Sequence, residues 1–337
     1  MKLSVLDQSP VSKGATPADA ISATLALARH CERLGYARYW LSEHHNSSSI
    51  VGSAPEVLMA AIAATTQRIR VGSAGVMLPH YAALKVAEQF RVLEAIAPGR
   101  IDLGLGRAPG SDRLTARALN PHASAGAQDF PQQIVDLQHW LEGRRMPADH
   151  PYRAITAQPQ GPTSPQMWIL GSSDYGAQLA AHFGLPYAFA YFFSDGQGVE
   201  QALALYRQNY RPSERFPVPQ ATICVWALAA DTEAEAQRQL MTREHWRVRF
   251  EQGLAGPLVS PQEASETRFT HAEQERIDQL RRGALVGTGA QVAAKLSALA
   301  ASLGLAEIVV NTWAFDPAVR QHSYSLLSHA CKLPREC

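Results

Sequence analysis

Tyr39-Trp40-Leu41-Ser42-Glu43-His44-His45-Asn46 sets three ionisable side chains directly behind a short apolar run. The run is too brief for a helix and follows a well-marked one, so it reads as a strand whose C-terminal end carries chemistry. Upstream, Thr16-Pro17-Ala18-Asp19 supplies a Thr N-cap, a proline in the first turn and a carboxylate at the capping-box position. Ile21, Leu25, Ala28 and Cys31 then follow at helical spacing, and Gly35 ends the helix. Residues 3–6, before that helix, read as a first strand.

The same unit repeats downstream. Ser53-Ala54-Pro55-Glu56 reads as a second capping box, Leu58, Ala61, Ile62 and Thr65 share one helical face, and residues 69–76 form a third strand. A helix carrying Val86, Phe90, Leu93 and Ala97 ends at Pro98-Gly99, and residues 101–106 form the fourth strand. Further strands are expected at 167–170, 187–191, 222–228 and 308–310, with helices near 134–141, 176–183, 199–210 and from Thr288 onward. Alternating strands and helices mean parallel strands joined by helical crossovers. A total of eight favours one closed (β/α)8 TIM barrel over an open doubly wound sheet or two domains of roughly 150 residues.

Two stretches fit no barrel element. Residues 253–283 are rich in Glu, Arg, Gln and Thr, and are expected to be an inserted, mobile lid over the C-terminal face, where barrel active sites lie. Residues 108–127 have the same polar character and read as a second insertion.

Composition narrows the function. The 337 residues are 46% hydrophobic with a formal net charge of +1, enough apolar material for a large core and no basic excess for nucleic acid. The basic segments 68–70 and 281–282 are too short to change that. Cys31, Cys224, Cys331 and Cys337 are far apart without a CxxC pair, which argues against a disulfide framework or zinc site and for a reducing, cytoplasmic setting. The N-terminal apolar run is too short for a signal peptide, and no stretch approaches the roughly 20 apolar residues of a membrane helix.

His44 and His45 are adjacent, so on extended backbone they point to opposite faces and are poorly placed to share a metal. The pattern places one of them at the barrel mouth as an acid or base near neutral pH, with Glu43 or its neighbour fixing the loop. Two structural histidines would look the same. Gly104-Leu105-Gly106-Arg107-Ala108-Pro109-Gly110 only superficially matches a dinucleotide fingerprint, because the third glycine is late and Pro109 intrudes. In a barrel, those glycines admit a flat ligand and Arg107 offers a fork of donors to an anion. Gly171-Ser172-Ser173 lies between a strand and a helix, where free N–H groups and hydroxyls receive phosphate, although a plain Ser N-cap fits equally. Ser73-Ala74-Gly75 ends its strand with small residues that leave room for a ring system or for tight packing.

Taken in order, these motifs resemble the bacterial luciferase-like flavin monooxygenase family, most strongly over residues 1–118 and 168–190. The resemblance rests on residues 40–46, 52–56, 70–81, 98–110 and 184–190. It implies a (β/α)8 barrel that binds reduced FMN (FMNH2) and uses O2 to oxygenate a small organic substrate. By the same resemblance His44 falls on the catalytic base, Arg107 on the arginine holding the FMN phosphate, and Ser172 and Ser173 in the second phosphate segment. Ala74-Gly75 matches a non-prolyl cis peptide beside the flavin ring, and residues 253–283 match a closing loop. Gly106 stands where luciferases carry a reactive cysteine, a departure that weighs against light emission on aldehydes without deciding it. With no nicotinamide-binding domain read in the chain, the reductant is expected from a separate flavin reductase, and the resemblance implies a homodimer formed through helices near the second and third strands. Alternatives are a related branch using deazaflavin F420 for hydride transfer, and a non-catalytic flavin-binding barrel. F420's polyglutamate tail calls for more cations than Arg107, Arg113 and Arg117.

Overall fold

The structure, a computed structural model, describes residues 1–108, 110–122 and 128–334. Its strands are β1 (Lys2–Asp7), β2 (Arg38–Leu41), β3 (Arg70–Met77), β4 (Ile101–Gly106), β5 (Gln166–Gly171), β6 (Tyr187–Phe189), β7 (Ala221–Ala230), β8 (Leu285–Thr288) and β9 (Glu307–Asn311). Their pairings are parallel and run β6-β5-β4-β3-β2-β1-β9-β7; β6 also pairs with β7, so these eight strands close into a barrel. This is the expected (β/α)8 architecture. The sequence reading lacked β8, a short strand that pairs with the last residues of β7.

Alternation along the strands divides the core. Leu3, Val5, Tyr39, Leu41 and Val71 pack outward against the helices, whereas Leu6, Trp40, Trp168, Ala188, Cys224 and Val309 form an inner cluster. The Trp40 and Trp168 rings meet edge to face at 5.2 Å. Beneath them Arg38 pairs with Asp102 at 2.7 Å and Glu307 at 3.0 Å, and Asp102 also takes Arg70 at 2.5 Å and the Trp40 indole N–H at 2.9 Å. Aromatic rings and paired charges therefore fill the N-terminal end of the barrel.

Local signals explain most helix boundaries. The helix Pro17–Arg33 begins at Thr16 with both halves of the capping box made. Gly35 follows it with φ +82°, and a Cβ there would run into the Pro334 carbonyl. The second box is not formed: the helix Pro55–Thr65 starts after Ala54 without a side-chain cap. Its start lies one residue later than a Ser53–Glu56 pair requires.

Residues 253–283, the expected insertion, contain the helices Pro261–Glu266 and His271–Arg282. The second of these buries only Ile277 and Leu280. Polar contacts anchor it: Arg281 to Glu244 at 2.7 Å, Arg276 to Glu251 at 2.9 Å and Glu273 to Arg249 at 3.3 Å. The long helix Glu233–Glu251 also escaped the sequence reading. Its buried face mixes Gln239, Thr242 and Glu244 with Ala236, Leu240 and Val248, which dilutes the apolar period. In the other insertion Asp112 caps the helix Arg113–Leu119, while Pro109 and residues 123–127 lie outside the described residues, as does Cys337. Among the described residues, Cys31, Cys224 and Cys331 are free thiols, no helix is long and apolar enough to cross a membrane, and no cluster of three metal-ligating side chains occurs.

Candidate active site

The end of β2 sorts its ionisable groups by parity. Ser42 and His44 line a cavity at the C-terminal mouth, while Glu43 turns away from it and is only 1% exposed. The Glu43 carboxylate accepts from the Tyr81 hydroxyl at 2.8 Å, the Met77 N–H at 3.1 Å and the His45 ring at 2.9 Å. Glu43 thus ties the β2 end to the β3 end, and His45 is one of its partners. His44 is held by its N–H donating to the Gly52 carbonyl at 3.1 Å and by its Nδ1 3.0 Å from the Ser42 hydroxyl. Burial, reinforced by neighbouring His45, pulls the His44 pKa down to about 4. Its imidazole is therefore neutral at physiological pH, with Nε2 free of protein partners among the described residues.

The next two strand ends keep the backbone close and the side chains small. Ser73 Oγ donates to the Gly104 carbonyl and accepts from the Gly104 N–H, both at 3.0 Å, which locks β3 to β4. The Ala74–Gly75 peptide is cis, and the β3–β4 register shifts between Ala74 and Val76. A Cβ at Gly75 would meet the Leu170 side chain and lie 2.7 Å from the Gly104 oxygen, so only glycine fits. Ala74, Gly75 and Gly106 all line the cavity.

The adjoining stretch, after β4 and β5, is cationic and rich in donors. Arg107 follows β4 and stacks its guanidinium 4.0 Å above the Tyr175 ring, with no carboxylate in ion-pair range among the described residues. Ser172 and Ser173 follow β5, and Ser173 is the N-cap of the helix Asp174–Phe183 without making a side-chain cap bond. Its hydroxyl and the orphan N–H groups of the first turn are therefore uncommitted. The structure brings Arg107, Ser172, Ser173, Ala74, Gly75 and His44 around one cavity of about 290 Å³.

Sequence reasoning missed a second chamber that shares Gln8, His44, Phe192 and Phe193 with the first. The expected strand 187–191 stops at Phe189, and Phe192 and Phe193 sit in the short helix Tyr191–Ser194 that follows it. The chamber's aromatic walls include Trp226, Trp246, Phe250 and Trp313. Trp246 stacks on Phe250 with centroids 4.8 Å apart and meets Trp313 edge-on at 4.5 Å. A sequence signal for it existed: Arg243, Trp246, Arg247 and Phe250 recur at i, i+3, i+4 and i+7, one face of a helix.

Residues 1–307 match the model of a protein family described as luciferase-like monooxygenase. The chain belongs to that family. It is a flavin-dependent oxidoreductase of the monooxygenase type. A luciferase-like monooxygenase of Escherichia coli K12 is 40% identical over 323 residues, covering 96% of this chain and 95% of that protein. An N-acetyl-S-alkylcysteine monooxygenase of Bacillus subtilis is 36% identical, with 98% of each chain covered. Among solved structures, apo-MsnO8 superposes with a TM-score of 0.90 at 35% identity, covering 99% of both chains.

Proposed function

We propose that this family member is an FMN-dependent monooxygenase that uses reduced flavin and O2 to oxygenate a small organic substrate. The observation that carries the reading is the polarity of the cavity. The cavity holds an arginine without an anionic partner beside the uncapped start of a helix, and a neutral histidine at the end of β2. Arg107, Ser172 and Ser173 fit a phosphate, which a helix N-terminus and an arginine fork receive together. Ala74 and Gly75 line the same cavity with little side-chain bulk, which suits a ring system. FMN, when bound, supplies the oxygen chemistry, and the chain supplies position and proton control.

His44 is the proton handler in this reading. In this role its Nδ1–H donates to the Ser42 hydroxyl oxygen 3.0 Å away, the tautomer that leaves Nε2 as the acceptor for a substrate proton. The Glu43–His45–Tyr81 cluster keeps the β2 loop fixed behind it. Residues 253–283 serve as the lid that excludes water during turnover; Gly253 and Ala255 already line the second chamber.

The reductant comes from a separate flavin reductase in the cytoplasm, and the protein works as a homodimer. Exposed Val57, Val92 and Ile96 on the helices Pro55–Thr65 and Ala83–Ile96 support that mode of assembly. The test is to titrate the purified protein with FMN in both redox states, with F420 alongside, and to follow O2 consumption. Binding of reduced FMN in the micromolar range, and O2 uptake only when reduced FMN is supplied, is the expected result. Binding of neither FMN state, or preference for F420, overturns the proposal.

A further inference from the structure

Arg243 is the guanidinium that this cavity leaves unexplained. It projects from the helix Glu233–Glu251 into the second chamber, with its Cζ 4.4 Å from the Trp226 ring centroid. Among the described residues it makes no hydrogen bond and has no carboxylate in ion-pair range. Its neighbours are committed elsewhere. Arg247 binds Glu251 at 2.6 Å and the Phe193 carbonyl at 3.2 Å, Glu244 takes Arg281 at 2.7 Å, and Asp195 takes Arg276 at 3.2 Å. Burial, with Arg247 adding to it, pulls the Arg243 pKa down to about 10, which leaves it charged at neutral pH.

Arg243 is half-buried, and a partly desolvated cation without an anion costs stability unless a ligand completes it. Five donors in a planar fork select a carboxylate-like head over a neutral one. Trp226, Trp246, Trp313 and Phe250 line the same chamber and offer an apolar body its contact surface, while Gln8, Asn311 and residues 45–49 line the rest. Because His44, Phe192 and Phe193 line both chambers, a molecule anchored on Arg243 extends toward the proposed reaction centre. We propose that Arg243 anchors the carboxylate of the substrate, and that the enzyme acts on small organic acids with an apolar body. The substrate role rests on the monooxygenase reading above; the anion site itself does not.

The test uses the full chain without flavin, with tryptophan fluorescence and calorimetry as readouts. Hexanoate, octanoate and phenylacetate are titrated beside their neutral carboxamides. At least one acid is expected to bind tenfold or more tightly than its amide. Arg243→Gln should bring acid and amide within threefold, Arg243→Lys should retain part of the preference, and the FMN affinity of both variants should match that of the parent. If no acid outbinds its amide, or if Arg243→Gln keeps the preference, the proposal falls. The comparison of acid with amide in the unsubstituted protein decides the matter even if the variants fold poorly. An acid preference in a protein that binds no FMN would retain the anion site and remove the monooxygenase reading, so the two failures are distinguishable.

Discussion

Replacing Arg107 by alanine is the sharpest test of the phosphate wall. In the structure its guanidinium lies over Tyr175 at 4.0 Å and is paired with no carboxylate among the described residues. Removing it therefore orphans no buried acid, and the loss is confined to what the arginine gives the ligand. A charge-assisted hydrogen bond contributes about 1.5–3 kcal/mol. Each 1.4 kcal/mol is tenfold in affinity. Because Arg107 is exposed, the low end applies, and FMN should bind roughly 10- to 30-fold more weakly. Arg107→Lys should fall between, since it keeps the charge and loses the fork. The assay is quenching of flavin fluorescence, run with FMN and with riboflavin, which lacks the phosphate. Riboflavin affinity should not move, and the FMN deficit should shrink at high salt as the parent's contact is screened. Equal weakening of both ligands, or an unchanged FMN affinity, would refute the assignment of Arg107 to phosphate.

Other expectations concern the base, the floor and the barrel interior. His44→Gln should lower the rate of oxygen transfer by about 10²- to 10⁴-fold while FMN affinity holds, as read by steady-state kinetics and titration. Since the His44 pKa drops from 6.5 to about 4 on folding, the unfolded chain takes up the proton first as pH falls. His44 thus costs stability progressively from pH 6.5 down to about 4, and denaturant titrations of His44→Gln should show a shallower acid decline across that window. Gly75→Ala should destabilise by about 1–3 kcal/mol in thermal or urea unfolding, because its Cβ would press on Leu170 and the Gly104 carbonyl. Asp7→Asn should cost about 3–5 kcal/mol by leaving Arg320, now 2.5 Å away, as an uncompensated buried charge. Burial works to raise the Asp7 pKa, but Arg320, the Tyr39 hydroxyl and the Ser9 N–H together hold it below the ordinary carboxylate value. Its stabilisation is therefore complete above about pH 4 and is lost as pH falls further, so the variant should be less sensitive to acid there.

Much of this protein was readable from the chain because the deciding signals are local. Strand-length apolar runs, Thr16-Pro17-Ala18-Asp19, the Thr288 cap and the glycines at element ends act over a few residues, and they set the alternation that closes into a barrel. Parity along β2 is equally local, and it separated His44 from His45 before any tertiary contact was known. The helix Glu233–Glu251 was not legible because its buried face mixes polar with apolar residues, and His271–Arg282, although Thr270 and Glu273 cap it, offers the core only Ile277 and Leu280. The second chamber showed in the sequence only as one helical face, because its other walls are distant in the chain. Trp226, Arg243 and Trp313 lie on a strand, a helix and the segment after the last strand, and only barrel closure brings them to one wall. Sequence alone determined the fold class and singled out strand ends that the fold gathers around one cavity, since chain geometry fixes period and parity. The tertiary structure decided which cations lack partners, because pairing depends on which distant carboxylates the fold places within reach.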